Sequence, residues 1–202
     1  MKSMKTDQQN DKYHRILEAA IKVFAEQGFH NSTISQVARE AGVADGTIYI
    51  YFKNKADILS HFFTYKSRIV FDRFHDVVEQ AGSAEEKLRC LVKSHLTEFQ
   101  NDRNMAVVFQ CEALMSRYVN EEYIREITKN YLGLLDSIIR QGQAEGSIRK
   151  DLPRGLVKRF ILGAVNEVIN TWVVTGGKTD ISVMVDPLVE LFFEGIGMPA
   201  AA

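Results

Sequence analysis

The stretch "VADGTIYIYFKNK", Val43 to Lys55, gathers a glycine, a threonine, two tyrosines and two lysines within one short segment. Thr47, Tyr49, Tyr51 and Lys55 can each donate a hydrogen bond to a phosphate oxygen, and a threonine methyl can also meet a thymine methyl. Gly46, having no side chain, lets a helix lie close against a sugar-phosphate wall. The floor of a nucleic-acid groove between two phosphate rails wants this mixture. The same residues also admit a plainer reading, in which Tyr49 and Phe52 plug a small core and the polar ones are solvated.

The elements that position this stretch are helical. Only three prolines occur, at 153, 187 and 199, so long helices are free to form. Tyr13, Ile16, Leu17, Ala20, Val23 and Phe24 follow helical spacing up to a stop at Gly28. "TISQ", Thr33 to Gln36, is a capping box that opens a short helix ending at Gly42. Residues 45–51 form a second short helix, and Asn54 caps a long one running to about 78. Asp57 sits in the first turn of that long helix, near its positive end. "SAEE", Ser83 to Glu86, is another capping box, opening a helix through Phe99. Further helical patterns cover 102–118, 121–144, 153–174 and 183–196, and no segment alternates as a strand does. The fold class is all-α: a three-helix, helix-turn-helix N-terminal domain over residues 1–60, and a larger helical domain over 61–202. In a helix-turn-helix the second helix of the pair enters the major groove.

Charge does little to choose among function classes. The net charge is −1; residues 1–60 carry eight Lys/Arg against seven Asp/Glu, the rest seventeen against nineteen. No apolar run reaches the ~18 residues of a membrane span, and the polar start "MKSMKTDQQNDKYHR" lacks a secretory signal. Cys90 and Cys111 form no CxxC pair, so a reduced, cytoplasmic setting with both thiols buried is expected. His14, His30, His61, His75 and His95 show no metal-ligand spacing, and no nucleophile, phosphate-loop or paired-carboxylate motif suggests an enzyme.

The segment "ILEAAIKVFAEQGFHNSTISQVAREAGVADGTIYIYFKNKADIL" resembles the TetR family of bacterial one-component repressors. The resemblance rests on Phe24-Gly28-Phe29, Thr33, Val37-Ala38, Ala41-Gly42-Val43, Gly46-Thr47, Tyr49-Tyr51-Phe52 and Lys55. It implies DNA contact by Thr33, Gly46, Thr47, Tyr49, Tyr51 and Lys55, with Ser35, Asp45, Lys53 and Asn54 beside them. Ala44 departs from the pattern, because many members carry a capping serine there; either Asp45 is the substitute cap or the helix frays until DNA is present.

In the second half, the apolar residues of helix 153–174 span roughly 220° of its surface at 100° per residue, about twice what one core needs. Either the helix is central or it faces another subunit. The family resemblance implies the second: a homodimer on a palindromic operator, with Phe160, Ile161, Val165, Val168, Ile169, Trp172, Leu188 and Phe192 at the interface. It also implies a small-molecule effector in the larger domain. Phe62, Phe63, Phe71, Phe74, Phe99, Met105, Phe109, Gln110, Leu114, Met115 and Tyr131 are candidate walls, each of which could equally be ordinary core. Glu112 and Glu167 could orient a ligand or simply be solvated.

"GVADGTIYIYFKNKADIL", with "TWVV" before a Gly-rich, Lys-containing loop, is similar to acyl-CoA-responsive TetR-type repressors of fatty-acid degradation. That similarity implies release from DNA by long-chain fatty acyl-CoA, with Arg68, Arg73 and Arg103 as candidates for the phosphorylated head. No metal or other cofactor is expected. The alternatives are a repressor of a multidrug exporter answering to aromatic or cationic compounds and, from another class, a helical lipid carrier.

Overall fold

The computed structural model describes the backbone of residues 2–112 and 121–196 and the side chains of 10–110 and 125–195. Leu114 and Met115, and the side chains of Cys111 and Glu112, lie outside the described residues. Among those described, every regular element is helical: α1 (Lys2–Gln27), α2 (Ile34–Glu40), α3 (Asp45–Tyr51), α4 (Lys55–Glu79), α5 (Ala84–Asn101), α6 (Arg103–Glu112), α7 (Glu121–Glu145), α8 (Arg154–Val174) and α9 (Val185–Ile196).

The helix starts follow from local chemistry. Thr33 accepts from the Gln36 amide at 3.3 Å while its own amide donates to Gln36 Oε1 at 2.7 Å, closing the expected box before α2. Ser83 and Glu86 repeat the arrangement before α5 at 3.2 and 3.0 Å, and the amides of Ser83 and Gly82 hold the Glu86 carboxyl below its usual range. Before α4, Asn54 Oδ1 accepts from the Asp57 amide at 2.9 Å, and Asp57 returns the favour by accepting from the Lys53 amide at 2.8 Å. The turn between α2 and α3 needs Gly42, whose φ of +63° favours glycine. There the Val43 amide donates to the Ala38 carbonyl at 2.9 Å, satisfying an orphan carbonyl at the end of α2.

Two expected starts moved. The first helix reaches back to Lys2. The last begins at Val185, preceded by a 3₁₀ turn over Ser182–Met184, rather than at 183. Pro187 fits there because the first turn of a helix has amides that go unbonded anyway.

The chain divides into two compact units: Met1–Ser67 with Asn104–Ile124, and Arg68–Arg103 with Arg125–Ala202. The core of the first unit is Ile16, Leu17, Ala20, Ile21, Val37, Ala38, Ile48, Phe52, Ile58, Leu59 and Phe62. It clamps α1 against α2, and α2 against α3. In the second unit α5, α8 and α9 pack on one another around Leu88, Val92, Ile161, Val165, Ile169, Val189 and Phe192. The end of α7 closes on the start of α5, where Gln141 donates to the Gly82 carbonyl at 2.7 Å. Gly142 makes that approach possible, because a Cβ there would lie 2.6 Å from the Ile148 side chain and 3.1 Å from Ala84.

Ala44 stands at the N-cap of α3 with extended φ/ψ of −74° and 149° and offers no side-chain cap. Asp45 does not replace it: its carboxylate accepts from Ser35 of α2 instead. Ala44→Ser should therefore add the missing cap and raise unfolding stability by about 0.5–1 kcal/mol. A urea melt that shows no gain, or a loss, would contradict this account of α3.

Candidate nucleic-acid interface and effector site

In the first unit, α3 turns Ile48 inward, fully buried, and its neighbours Tyr49 and Ile50 outward at 60% and 71% exposure. Phe52 is buried, stacked on Tyr13 at 5.2 Å between ring centroids. The two readings of the opening stretch therefore divide between residues: Phe52 plugs the core, and Tyr49 does not. Gly46 is exposed, and a Cβ there would meet no atom within 4 Å. Thr33, Ser35, Asp45, Lys53 and Asn54 are also exposed, while Thr47 and Tyr51 are half-buried. Tyr51 leans on Tyr13, 6.3 Å away, and Tyr13 donates to or accepts from His61 at 2.8 Å. Burial, then the nearby Asp57 charge, pushes the Tyr13 phenol up.

Lys55 is placed differently from its neighbours. Its ammonium donates to the carbonyls of Phe29, His30 and Ser32 at 2.5, 2.9 and 3.1 Å and lies 4.7 Å from the Phe29 ring centroid. All three ammonium protons are thus used inside the protein. Lys55 braces the turn between α1 and α2 against the first residue of α4. Ile50 is not among the expected contacts; it lies two residues beyond the buried Ile48, about 200° round the helix, and that spacing places it on the outward face.

The candidate effector residues fall into two groups, one in each unit. In the first, Phe62, Phe63 and Met105 are buried and Phe109 and Gln110 half-buried, with the Phe63 and Phe109 rings 5.8 Å apart. In the second, Phe74, Phe99 and Tyr131 collect around a residue that spacing did not nominate, His95, and Phe71 packs on Phe74. Its Nδ1 lies 2.9 Å from the Tyr131 hydroxyl. Burial lowers the His95 imidazole to about 4 and raises the Tyr131 phenol above its usual range. A histidine four residues before Phe99 and seven after Leu88 lies on the apolar face of α5; that register was the available clue. Glu167 is exposed and accepts from Thr171 at 3.2 Å.

Among the candidate head-group cations, Arg73 pairs with Glu98 at 2.5 Å, and Arg103 lies across Gly177, where a Cβ would come within 2.5 Å of its Nε. Arg68 is exposed. The second unit holds a further basic group: Asp136 on α7 receives Lys158 at 2.9 Å, Arg140 at 3.3 Å and Arg154 at 3.5 Å. The Lys158 hydrogen bond holds its carboxyl below the usual range. Beside it opens a concavity of about 650 Å³ lined by Arg125, Thr128, Lys129, Leu132, Gly133, Asp136, Arg140 and Lys158. No group of three or more His, Cys, Asp or Glu that could hold a metal occurs among the described residues. None of their helices is long and apolar enough to cross a membrane.

The residues expected at a dimer interface differ in how the protomer itself covers them. Ile161, Val165, Ile169, Trp172, Leu188 and Phe192 are buried within the protomer's own core. Trp172 is further committed by donating to the Thr179 carbonyl at 2.8 Å, which pins the "TGGKTD" loop. Val168 is half-buried, and Phe160 remains 51% exposed with its ring 5.5 Å from that of Phe192. The apolar side chains left outside are Leu156, Phe160 and Val174 on one stripe of α8, Leu191 on α9, and Val183 and Met184 before it. Cys90, expected buried, is half-buried.

Two family descriptions match this chain: "Bacterial regulatory proteins, tetR family" over residues 16–62, and "YsiA-like protein, C-terminal region" over residues 63–195. The chain belongs to the TetR family of transcriptional regulators. It is 38% identical over 189 residues to the fatty acid metabolism regulator protein of Bacillus subtilis, covering 94% of this chain and 97% of that one. It is similar to the crystal structure of the transcriptional regulator FadR from Bacillus subtilis in complex with stearoyl-CoA, with a TM-score of 0.82, 38% identity and coverage of 91% and 99%. It is similar also to the fatty acid degradation regulator FadR from Bacillus halodurans, with a TM-score of 0.82, 36% identity and coverage of 90% and 94%.

A pH dependence follows from His95. Its folded imidazole binds a proton only near pH 4, whereas an unfolded one does so near 6.5. The His95 contribution to stability is complete above pH 6.5 and is lost as pH drops towards 4, where the unfolded chain takes up a proton that the folded chain refuses, by about 3 kcal/mol. His95→Phe should flatten the melting temperature between pH 6.5 and 4. An unchanged slope in that window would contradict the assignment.

Proposed function

We propose that this chain is a homodimeric, non-enzymatic repressor of fatty-acid degradation genes, bound to a palindromic operator and released by long-chain acyl-CoA. Residues 1–60 read the DNA; residues 61–202 take the effector and form the dimer. Both ligands belong to the cytoplasm. The observation that carries the DNA half is the outward face of α3, where Tyr49 and Ile50 stand exposed beside Gly46. The chain's own packing does not require a glycine at 46, since a Cβ would meet open space. Close approach by an outside surface does require it. On this reading Thr47, Tyr49 and Tyr51 meet phosphates and base edges, and Thr33, Ser35, Lys53 and Asn54 meet the backbone on either side. Asp45 and Lys55 contribute by fixing α3 to α2 and the α1–α2 turn to α4.

Dimerisation supplies the second reading head. The exposed stripe of Leu156, Phe160 and Val174 with Leu191 suits a twofold contact, because it offers apolar side chains that this protomer leaves uncovered. For the effector, the support is the near-full-length likeness to a fatty acid metabolism regulator and to a regulator bound to stearoyl-CoA. The apolar character of the aromatic group around Phe74 and Phe99 suits an acyl tail. A cationic drug would want buried acidic or aromatic partners; aromatic rings are present, but the buried polar groups among the described residues, Ser32, His95 and the Tyr131 hydroxyl, include no carboxylate. The effector acts by binding better to a form in which the reading heads are misplaced. Helix α4, which carries residues of both units, is the element to transmit the change.

The direct test is a gel shift on the chain's own promoter region: palmitoyl-CoA should release the fragment and cationic dyes should not. Release by the dyes alone would favour an exporter repressor. Tyr49→Ala should lower operator affinity about tenfold without changing the sedimentation coefficient. Wild-type affinity in that variant would refute the contact. Phe160→Glu with Leu191→Glu should yield a folded monomer that no longer holds the operator; a variant that sediments as a dimer would refute the proposed face.

A further inference from the structure

The second unit buries two hydrogen-bonding side chains that its own fold leaves half satisfied. His95 of α5 and Tyr131 of α7 are each 5% exposed, and their polar atoms meet at 2.9 Å. Around them are aromatic rings: Phe74 lies 5.6 Å from His95 and 5.9 Å from Tyr131, and Phe99 lies 5.2 Å from His95. Among the described residues, neither has another hydrogen bond.

Counting protons gives the consequence. A neutral imidazole and a phenol bring two polar hydrogens to the pair, and only one can lie between them. If Tyr131 donates, the N–H on His95 Nε2 is left over. If His95 donates from Nδ1, the Tyr131 O–H is left over. Either tautomer leaves one buried donor without an acceptor among the described residues, a penalty that two apolar side chains of the same shape would avoid. A neutral acceptor arriving with a ligand would remove that cost. A carboxylate or phosphate would not suit the place, because an unpaired charge among aromatic rings is far more costly than the bond it would gain.

We infer that His95 and Tyr131 form a subsite that reads one uncharged acceptor oxygen on an otherwise apolar effector, which for an acyl-CoA is the thioester carbonyl. The inference rests on the acyl-CoA reading and assigns the part of that ligand that the aromatic walls cannot recognise. It makes the pair a specificity device: a saturated chain alone gains only burial, whereas a chain bearing a carbonyl also satisfies the waiting donor.

The test uses calorimetry on the full chain with two probes, stearoyl-CoA and S-octadecyl-CoA, the thioether that lacks the carbonyl oxygen. The wild type should prefer the thioester about tenfold. In the double variant His95→Phe/Tyr131→Phe the two probes should bind within about twofold of each other, and the unliganded protein should melt no lower than the wild type. Tyr131→Phe alone leaves the imidazole N–H and should keep part of the preference. Equal binding of both probes by the wild type would overturn the inference, as would a double variant that keeps the tenfold preference or fails to fold. Failure of the wild type to bind either probe would overturn the acyl-CoA reading as well.

Discussion

The contact between the Lys55 ammonium and the carbonyls of Phe29, His30 and Ser32 is the constraint on which the first unit turns. Three carbonyls leaving a helix end point at one place, and a cation on the next long helix satisfies them all. The turn so held ends at Ser32, one residue before the Thr33 cap, so the start of α2 is set by it. α2 in turn sets α3, through buried Ile48 and the Ser35–Asp45 hydrogen bond. The exposed Tyr49 and Ile50 are therefore aimed by a chain of contacts that begins far from them in sequence. A reading head must be rigid before it touches DNA, since ordering it on contact would be deducted from its affinity.

Much of this was legible in the residues. Local chemistry fixed the helix starts: the Thr33–Gln36 and Ser83–Glu86 boxes and the Asn54 cap all form as spacing implies. Those signals act over three or four residues, and nothing distant competes with them. Lys55 shows the limit. A lysine beside tyrosines reads as a phosphate donor, but its partners are carbonyls 23 to 26 positions away, which no local pattern encodes. The dimer residues show it again. Periodicity reveals that α8 is apolar over a wide arc, yet it cannot say which flank the chain covers itself. The protomer took Ile161, Val165 and Ile169 and left Leu156 and Phe160 outside. His95 escaped because a histidine among apolar residues carries no signature until its surroundings are known.

The second unit states the other half of the problem, which is how an apolar ligand can be told from any other grease. Aromatic walls supply affinity without much discrimination, since burial scales with area. Discrimination comes from polar groups with unmet bonding capacity, and His95 with Tyr131, which have no other hydrogen bond among the described residues, are proposed to supply it. The same physics adds to the loss of stability towards acid, because an imidazole kept neutral by its surroundings resists protonation. On the proposed reading, one buried pair links ligand choice to the robustness of the fold.

Repression lifted by a ligand is a coupling between two binding sites, and coupling free energy is reciprocal. If acyl-CoA weakens the hold on the operator, the operator must weaken the hold on acyl-CoA by the same factor. Calorimetric titration of stearoyl-CoA into the protein, alone and saturated with operator duplex, measures that factor directly. The account predicts weaker binding in the presence of DNA, by the same ratio that stearoyl-CoA imposes on operator affinity. Equal affinity with and without DNA would contradict it.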